Sequence, residues 1–91
     1  MNKRVHLLIY GDVIGVGFRA WTYSNAKELE LTGWVKNAGL GIVEAVFEGS
    51  EVKIKEMIDR CHRGPEVAWV KNVEEKWEYV EEEFETFEIR F

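Results

Sequence analysis

The segment Gly11-Asp12-Val13-Ile14-Gly15-Val16-Gly17-Phe18-Arg19 constrains this chain more than any other. A run of Val, His, Leu, Leu, Ile and Tyr enters it at residues 5–10. That run is too apolar for an edge strand and reads as a central one, with His6 an outward or lightly packed residue on it. A helical pattern leaves the segment over residues 20–29, with Phe18, Thr22, Ala26 and Leu29 sharing one face. Glycines at 11, 15 and 17 allow a tight turn and a close backbone approach to a ligand. Successive N–H groups can then converge on one concavity, backed by the positive end of a helix. Arg19 adds a forked, permanently charged donor suited to phosphate or carboxylate. A cation is unfavourable at a helix start, and a bound anion explains its placement there. The spacing is not that of a P-loop, which needs Gly-Lys-Ser/Thr. Nor is it a dinucleotide fingerprint, because Ala20 stands where the third glycine belongs. On spacing alone, a plain strand-to-helix turn carrying a surface arginine fits equally well.

Beyond the loop, Phe18 reads as a plug beneath it, and Trp21 and Tyr23 as packing residues. The first helix is expected to end near residues 29–31, with Thr32-Gly33 as a stop-and-turn pair. Trp34-Val35-Lys36-Asn37 is a short strand, residues 37–41 a glycine-containing turn, and residues 42–48 the returning strand of a hairpin. In that strand Val43, Ala45 and Phe47 share one face while Glu44 and Glu48 share the other, which predicts one buried and one solvated sheet face. Ser50 is the expected N-cap of a second helix, with Ile54, Ile58 and Cys61 on its core face, Met57 beside them, and Gly64-Pro65 ending it. Arg60, His62 and Arg63 suit its last turn. Residues 67–79 read as a long strand whose apolar parity changes, which predicts a bulge near Lys71-Asn72. Residues 80–83 are an acidic turn, and Phe87, Ile89 and Phe91 alternate with charges in a last strand that runs to residue 91.

The order is β-α-β-β-α-β plus a C-terminal strand, an α+β chain. Two helices on one face of an antiparallel sheet, the ferredoxin-like α/β sandwich, is the economical solution. The crossovers are expected to place the first and fourth strands near the middle. A length of 91 residues implies a single domain spanning 1–91. No run is long enough for a membrane helix, and residues 1–4 lead straight into a strand, so no signal peptide and a cytoplasmic protein are expected. One cysteine excludes an internal disulfide, and no Cys/His cluster has metal-ligand spacing. A net charge of −5 disfavours nucleic acid as a partner. Monomer is the default for so small a sandwich.

Two stretches together resemble the acylphosphatase family. Residues 9–19 look like the family's Gly-x-Val-Gln-Gly-Val-x-Phe-Arg loop. Gly33-Trp34-Val35-Lys36-Asn37, followed by Gly41, Val43 and Gly49, is similar to its second signature in residues and spacing. The family's Gly-Pro after the second helix is present at Gly64-Pro65. The resemblance implies hydrolysis of the carboxyl–phosphate anhydride of acyl phosphates to a carboxylate and inorganic phosphate, with no cofactor and no metal. It implies that Arg19 binds the phosphate and that Asn37 orients the attacking water. Backbone N–H groups of Gly15, Val16, Gly17, Phe18 and Arg19 would cradle the phosphoryl oxygens. Phe91 is a candidate to give Arg19 a carboxylate as its resting partner.

One departure is that Ile14 stands where the family has glutamine. It is expected at an ordinary backbone angle, because a β-branched residue resists positive φ. It also leaves a second reading, a catalytically weak anion-binding or regulatory module on the same fold. The likeness extends to the acylphosphatase-like domains of hydrogenase-maturation carbamoyltransferases. An RNA-binding platform ranks last, because the chain is acidic and carries no matching aromatic motif on its strands.

Overall fold

A computed structural model describes residues 2–79 and 84–91. Strand β1 (Asn2–Asp12) leads to helix α1 (Phe18–Glu28) and the hairpin β2 (Thr32–Gly39) and β3 (Ile42–Ser50). Helix α2 (Glu51–Arg63), strand β4 (Trp69–Glu78) and a short β5 (Phe87–Ile89) follow. The sheet order is β4-β1-β3-β2-β5. Each helix crossover skips one strand position, so the two βαβ halves interleave and β1 and β3 lie inside. The fourth strand is therefore at an edge, not near the middle as the sequence reading had it. Its exposed residues, Lys71, Asn72, Glu74, Glu75 and Lys76, suit an edge that must not pair with another chain. Nor is the sheet wholly antiparallel, because β5 pairs with β2 in parallel. The chain leaves β4 at one end of the sheet and joins the opposite edge from that same end, which fixes the direction of β5. As a result β1, β2 and β5 all run the same way, and their C-terminal ends lie together.

Both helices cover the face that carries Val5, Leu7 and Ile9 of β1 and Val43, Ala45 and Phe47 of β3, all fully buried. From α1, Phe18, Thr22 and Ala26 meet this layer; from α2, Ile54, Met57, Ile58 and Cys61 do. Ser50 caps α2, its hydroxyl accepting from the Lys53 N–H at 3.3 Å. The shifted parity in β4 has the expected cause. Tyr10 pairs with Asn72 and Gly11 with Val70, leaving Lys71 as the extra residue of a bulge.

Three sequence expectations are corrected here. Helix α1 ends with Glu28 and its C-cap Leu29, near the expected end, but the turn that closes it is at residues 29–30, not at Thr32-Gly33. Leu31 N–H donates to the Ala26 carbonyl at 2.9 Å and Glu30 N–H to that of Lys27 at 3.1 Å, with Glu30 at φ 59. This is a Schellman close with a glutamate where glycine is usual. Thr32 and Gly33 already belong to β2. Second, the outer sheet face is not uniformly solvated. Glu48 is only 2% exposed there, held by Arg4 at 2.7 Å and by the Phe84 N–H at 3.1 Å. The Phe84 ring lies over the Arg4 guanidinium at 5.4 Å, so this buried charge pair is satisfied and covered. Third, β5 stops at Ile89, although the Arg90 N–H still donates to the Val35 carbonyl at 2.8 Å. The acidic turn expected at 80–83 lies outside the described residues.

Gly33 shows why a glycine sits inside a strand. It pairs with Phe47 on one side and Phe87 on the other, and the two rings stack across it at 5.5 Å. A Cβ there would lie 1.9 Å from the Val46 carbonyl oxygen, and φ is already +133°. Gly33→Ala should therefore cost roughly 2 kcal/mol or more, read as a lower urea midpoint at an unchanged slope. A second expectation concerns pH. Lys3 and Lys55 hydrogen-bond the Glu51 carboxylate at the start of α2 and lower its pKa from 4.5 to about 2. Its contribution is present above the unfolded pKa and is lost as pH falls through the folded one. Glu51→Gln should thus be less stable than wild type at pH 7, and the gap should close between about pH 5 and pH 2. Paired urea titrations across that range would check this.

Candidate active site

The site forms where the parallel strands end. After Asp12 the chain buries Val13, bends through residues 14–17 and starts α1 at Phe18. Gly15 and Gly17 take φ of 77° and 76°, a region costly for residues with a Cβ. Ile14 keeps an ordinary φ, as expected for its branched side chain. Gly17 occupies the N-cap position, yet it has no side chain with which to cap and the first turn carries no acid. The first intrahelical bond runs from Trp21 N–H to the Gly17 carbonyl at 3.0 Å. The N–H groups of Phe18, Arg19 and Ala20 lie ahead of that bond, aimed out of the helix start. The loop is pinned at both ends. Gly11 N–H donates to the Gly41 carbonyl of the hairpin at 3.1 Å. Phe18, 1% exposed and 5.2 Å from the Trp21 ring, is the plug that the sequence pattern predicts.

A cavity of about 270 Å³ opens over this loop, lined by Gly15, Gly17, Phe18 and Arg19 together with Asn37 and Phe91. Residues 19 and 37, which belong to different elements, thus reach one pocket. Register explains the position of Asn37. It lies opposite Val43, on the same side of the sheet as Val35 and Gly33, which places it on the helix-covered face just past the end of the core. A register shift between Asn37 and Gly39, invisible in the sequence pattern, follows it.

Arg19 is half-buried. It donates from Nη1 to the Arg90 carbonyl at 3.3 Å, and its guanidinium lies 4.7 Å from the centre of the Phe91 ring. The end of β5 therefore meets Arg19 through a carbonyl and an aromatic face, not through the expected carboxylate. These contacts offset part of the cost of a cation at the positive end of α1. Sequence reasoning missed Ile89 and the ring of Phe91 as pocket walls, because nothing local to β5 signals that it lies beside β2.

Groups that could have offered other chemistry lie elsewhere. His6 is on the outer face, 2.6 Å from Glu44. Cys61 is buried in the core, and burial pushes its thiol up to about 12, so it is no thiolate near neutral pH. Among the described residues, no cluster of His, Cys, Asp and Glu is placed to hold a metal ion. Nor, among the described residues, is any helix long and apolar enough to cross a membrane.

Fold and site together define an α+β sandwich with a pocket lined by loop backbone and, among the described residues, flanked by one arginine and one amide. Among known proteins, the family model described as acylphosphatase matches residues 5–89. An acylphosphatase of Moorella thermoacetica is 49% identical over 88 residues, covering 96% of this chain and 92% of that protein. Among solved structures, an acylphosphatase from Coxiella burnetii superposes with a TM-score of 0.92 at 37% identity, covering 98% of this chain and 93% of that one. The Bacillus subtilis acylphosphatase gives 0.94 at 28% identity, with 98% and 99% covered. The chain belongs to the acylphosphatase family, and its activity is the hydrolysis of acyl phosphates.

An anion held by the folded loop must stabilise the fold by mass action. Inorganic phosphate at 100 times its dissociation constant should add about 2.7 kcal/mol to the unfolding free energy, and Arg19→Ala should remove most of that gain. Thermal melts with and without phosphate would check it.

Proposed function

We propose that Arg19 and the backbone N–H groups of residues 15–19 hold the phosphoryl group, and that Asn37 orients the water that attacks it. The observation that carries this reading is the convergence of Arg19, Asn37 and the loop glycines on one cavity. The water oxygen bonds to phosphorus as the bond from phosphorus to the acyl oxygen breaks, and the carboxylate departs. A carboxylate with a pKa of about 4 is a good leaving group and needs no general acid. What remains is to position the water and to stabilise charge on the peripheral oxygens, tasks for fixed dipoles and a forked cation. Asn37 is too weak a base to take the water's proton, so a phosphoryl oxygen receives it and the products are a carboxylate and inorganic phosphate.

Ile14 is 37% exposed and is not among the residues lining the cavity. A side chain off the cavity wall favours the reading in which position 14 serves through its backbone. This supports the full enzyme over the weak anion-binding module. We further infer that residues 1–91 act as one domain, a cytoplasmic monomer whose partners are acyl phosphates and inorganic phosphate, with no nucleic acid and no membrane. The acidic net charge of −5 and the lone buried cysteine support that setting.

Benzoyl phosphate hydrolysis tests the roles. Arg19→Ala and Asn37→Ala should each lower kcat/KM by on the order of 10²-fold or more, whereas Ile14→Gln should change it by less than about 3-fold. Between pH 6 and 8 the rate should stay flat, because among the described residues no histidine, cysteine, aspartate or glutamate lines the cavity. Phosphate binding without turnover would instead select the anion-binding module.

A further inference from the structure

We propose that the acyl side of the pocket is an apolar subsite, walled by Ile89 and Phe91 at the end of β5. It selects acyl phosphates with hydrocarbon or aromatic acyl groups over those with a second charge. This rests on the placement of the phosphoryl group at Arg19 and the loop.

Volume is the first argument. The 270 Å³ cavity corresponds to the bulk volume of roughly nine waters, more than the four heavy atoms of a phosphoryl group fill. The remainder receives part of the acyl group. Chemistry of the walls is the second. With Arg19 and the loop engaged by the phosphoryl group, and Val13 and Phe18 buried beneath it, the accessible lining left over is Ala20, Ile89 and Phe91, with Asn37 the one remaining polar side chain among the described residues.

Third, the nearby cations are committed elsewhere. The Arg90 guanidinium lies 4.9 Å from the Trp34 ring and 3.8 Å from Glu88. Lys36 reaches Glu44 at 3.7 Å and the same indole at 5.5 Å. Trp34 and Lys36 are on the sheet face opposite the pocket, by the alternation that puts Val35 and Asn37 on the inner face. No cation in the cavity wall remains to meet a second carboxylate, which would lose water against apolar surface.

Fourth, Phe91 is fully exposed, an unusual place for a large ring. One face of it rests on Arg19 and the rest is open at the pocket mouth. It is not isolated. Leu40, fully exposed, lies at the hairpin tip beside Gly41, whose carbonyl accepts from Gly11. Trp69, 59% exposed, pairs with Asp12 at the loop's start. Exposed apolar side chains thus gather at the end of the sheet that holds the site. A small, polar acyl group would leave the Ile89–Phe91 wall wet.

The test is binding of non-hydrolysable phosphonates by calorimetry, alongside kcat/KM for benzoyl and succinyl phosphate. Wild type should bind benzylphosphonate about 10-fold or more tighter than methylphosphonate, and should prefer benzoyl over succinyl phosphate by a similar factor. Phe91→Ala should weaken benzylphosphonate about 10-fold more than methylphosphonate and so erase both preferences, and Phe91→Leu, still apolar, should retain most of them. Equal binding of the two phosphonates by wild type would overturn the proposal. So would equal weakening of both phosphonates by Phe91→Ala and Phe91→Leu, since the ring would then act only by holding Arg19. Failure of the underlying placement would look different: Arg19→Ala would leave methylphosphonate binding intact.

Discussion

Everything at the site depends on a helix start left without a side-chain cap. A serine or aspartate at position 17 would supply the acceptor that the first-turn N–H groups lack. Gly17 supplies none, and Arg19 adds a positive charge to an already positive helix end. Both choices cost stability in the free protein. They persist because the surrounding structure leaves the loop no alternative. Phe18 is buried on one side of it, Val13 on the other, and Gly11 is tied to the hairpin. In the proposed mechanism, the donors that would ordinarily be satisfied within the protein are thereby reserved for the phosphoryl group.

The rigidity behind this comes from the two inner strands. β1 is paired along its length with β3 and β4, and its inward residues are fully buried, so the loop leaves from the least mobile part of the sheet. β3 gives Asn37 the same support through the hairpin ladder. On the outer face, the covered Arg4–Glu48 pair links the same two strands at the far end. Breaking a buried pair of this kind is costly because it strands a charge, so it fixes the register of β1 against β3 more than it adds net stability.

Much of this was legible in the chain itself. The strand–loop–helix crossing, the core face of each helix, the Ser50 cap and the bulge at Lys71 follow from period, parity and capping chemistry, which are local. The failures have a common physical cause. Gly33 was read as a turn because glycine marks both turns and close backbone approach, and only the stacking of Phe47 on Phe87 across it tells the two apart. Glu48 was read as solvated because its cover comes from residue 84, far along the chain. The edge position of β4 was missed, although its run of charged residues already argued for an edge. The parallel pairing of β5, and with it the Ile89–Phe91 wall, depends on where the chain goes after β4, and no periodicity encodes that. At the site, resemblance supplied the two polar residues, while the apolar walls came only from the fold.

That division has a chemical sense. In the proposed mechanism, catalysis comes from charges and dipoles fixed before the substrate arrives, which act without reorganising as the phosphoryl charge redistributes. An arginine on a long side chain is a poor fixed charge unless something holds it. Here the Arg90 carbonyl and the Phe91 ring do so, from a strand that is not part of the βαββαβ core. Neither partner carries a formal charge at its point of contact, so neither neutralises the guanidinium. A carboxylate in their place would hold Arg19 equally well, but it would compete with the phosphoryl group for the same fork of donors. A carbonyl and a π face orient the cation and leave its charge available. In the proposed mechanism, the two residues that follow β5, a strand whose partner no periodicity encodes, are thus what lets a single arginine act as a preorganised anion site.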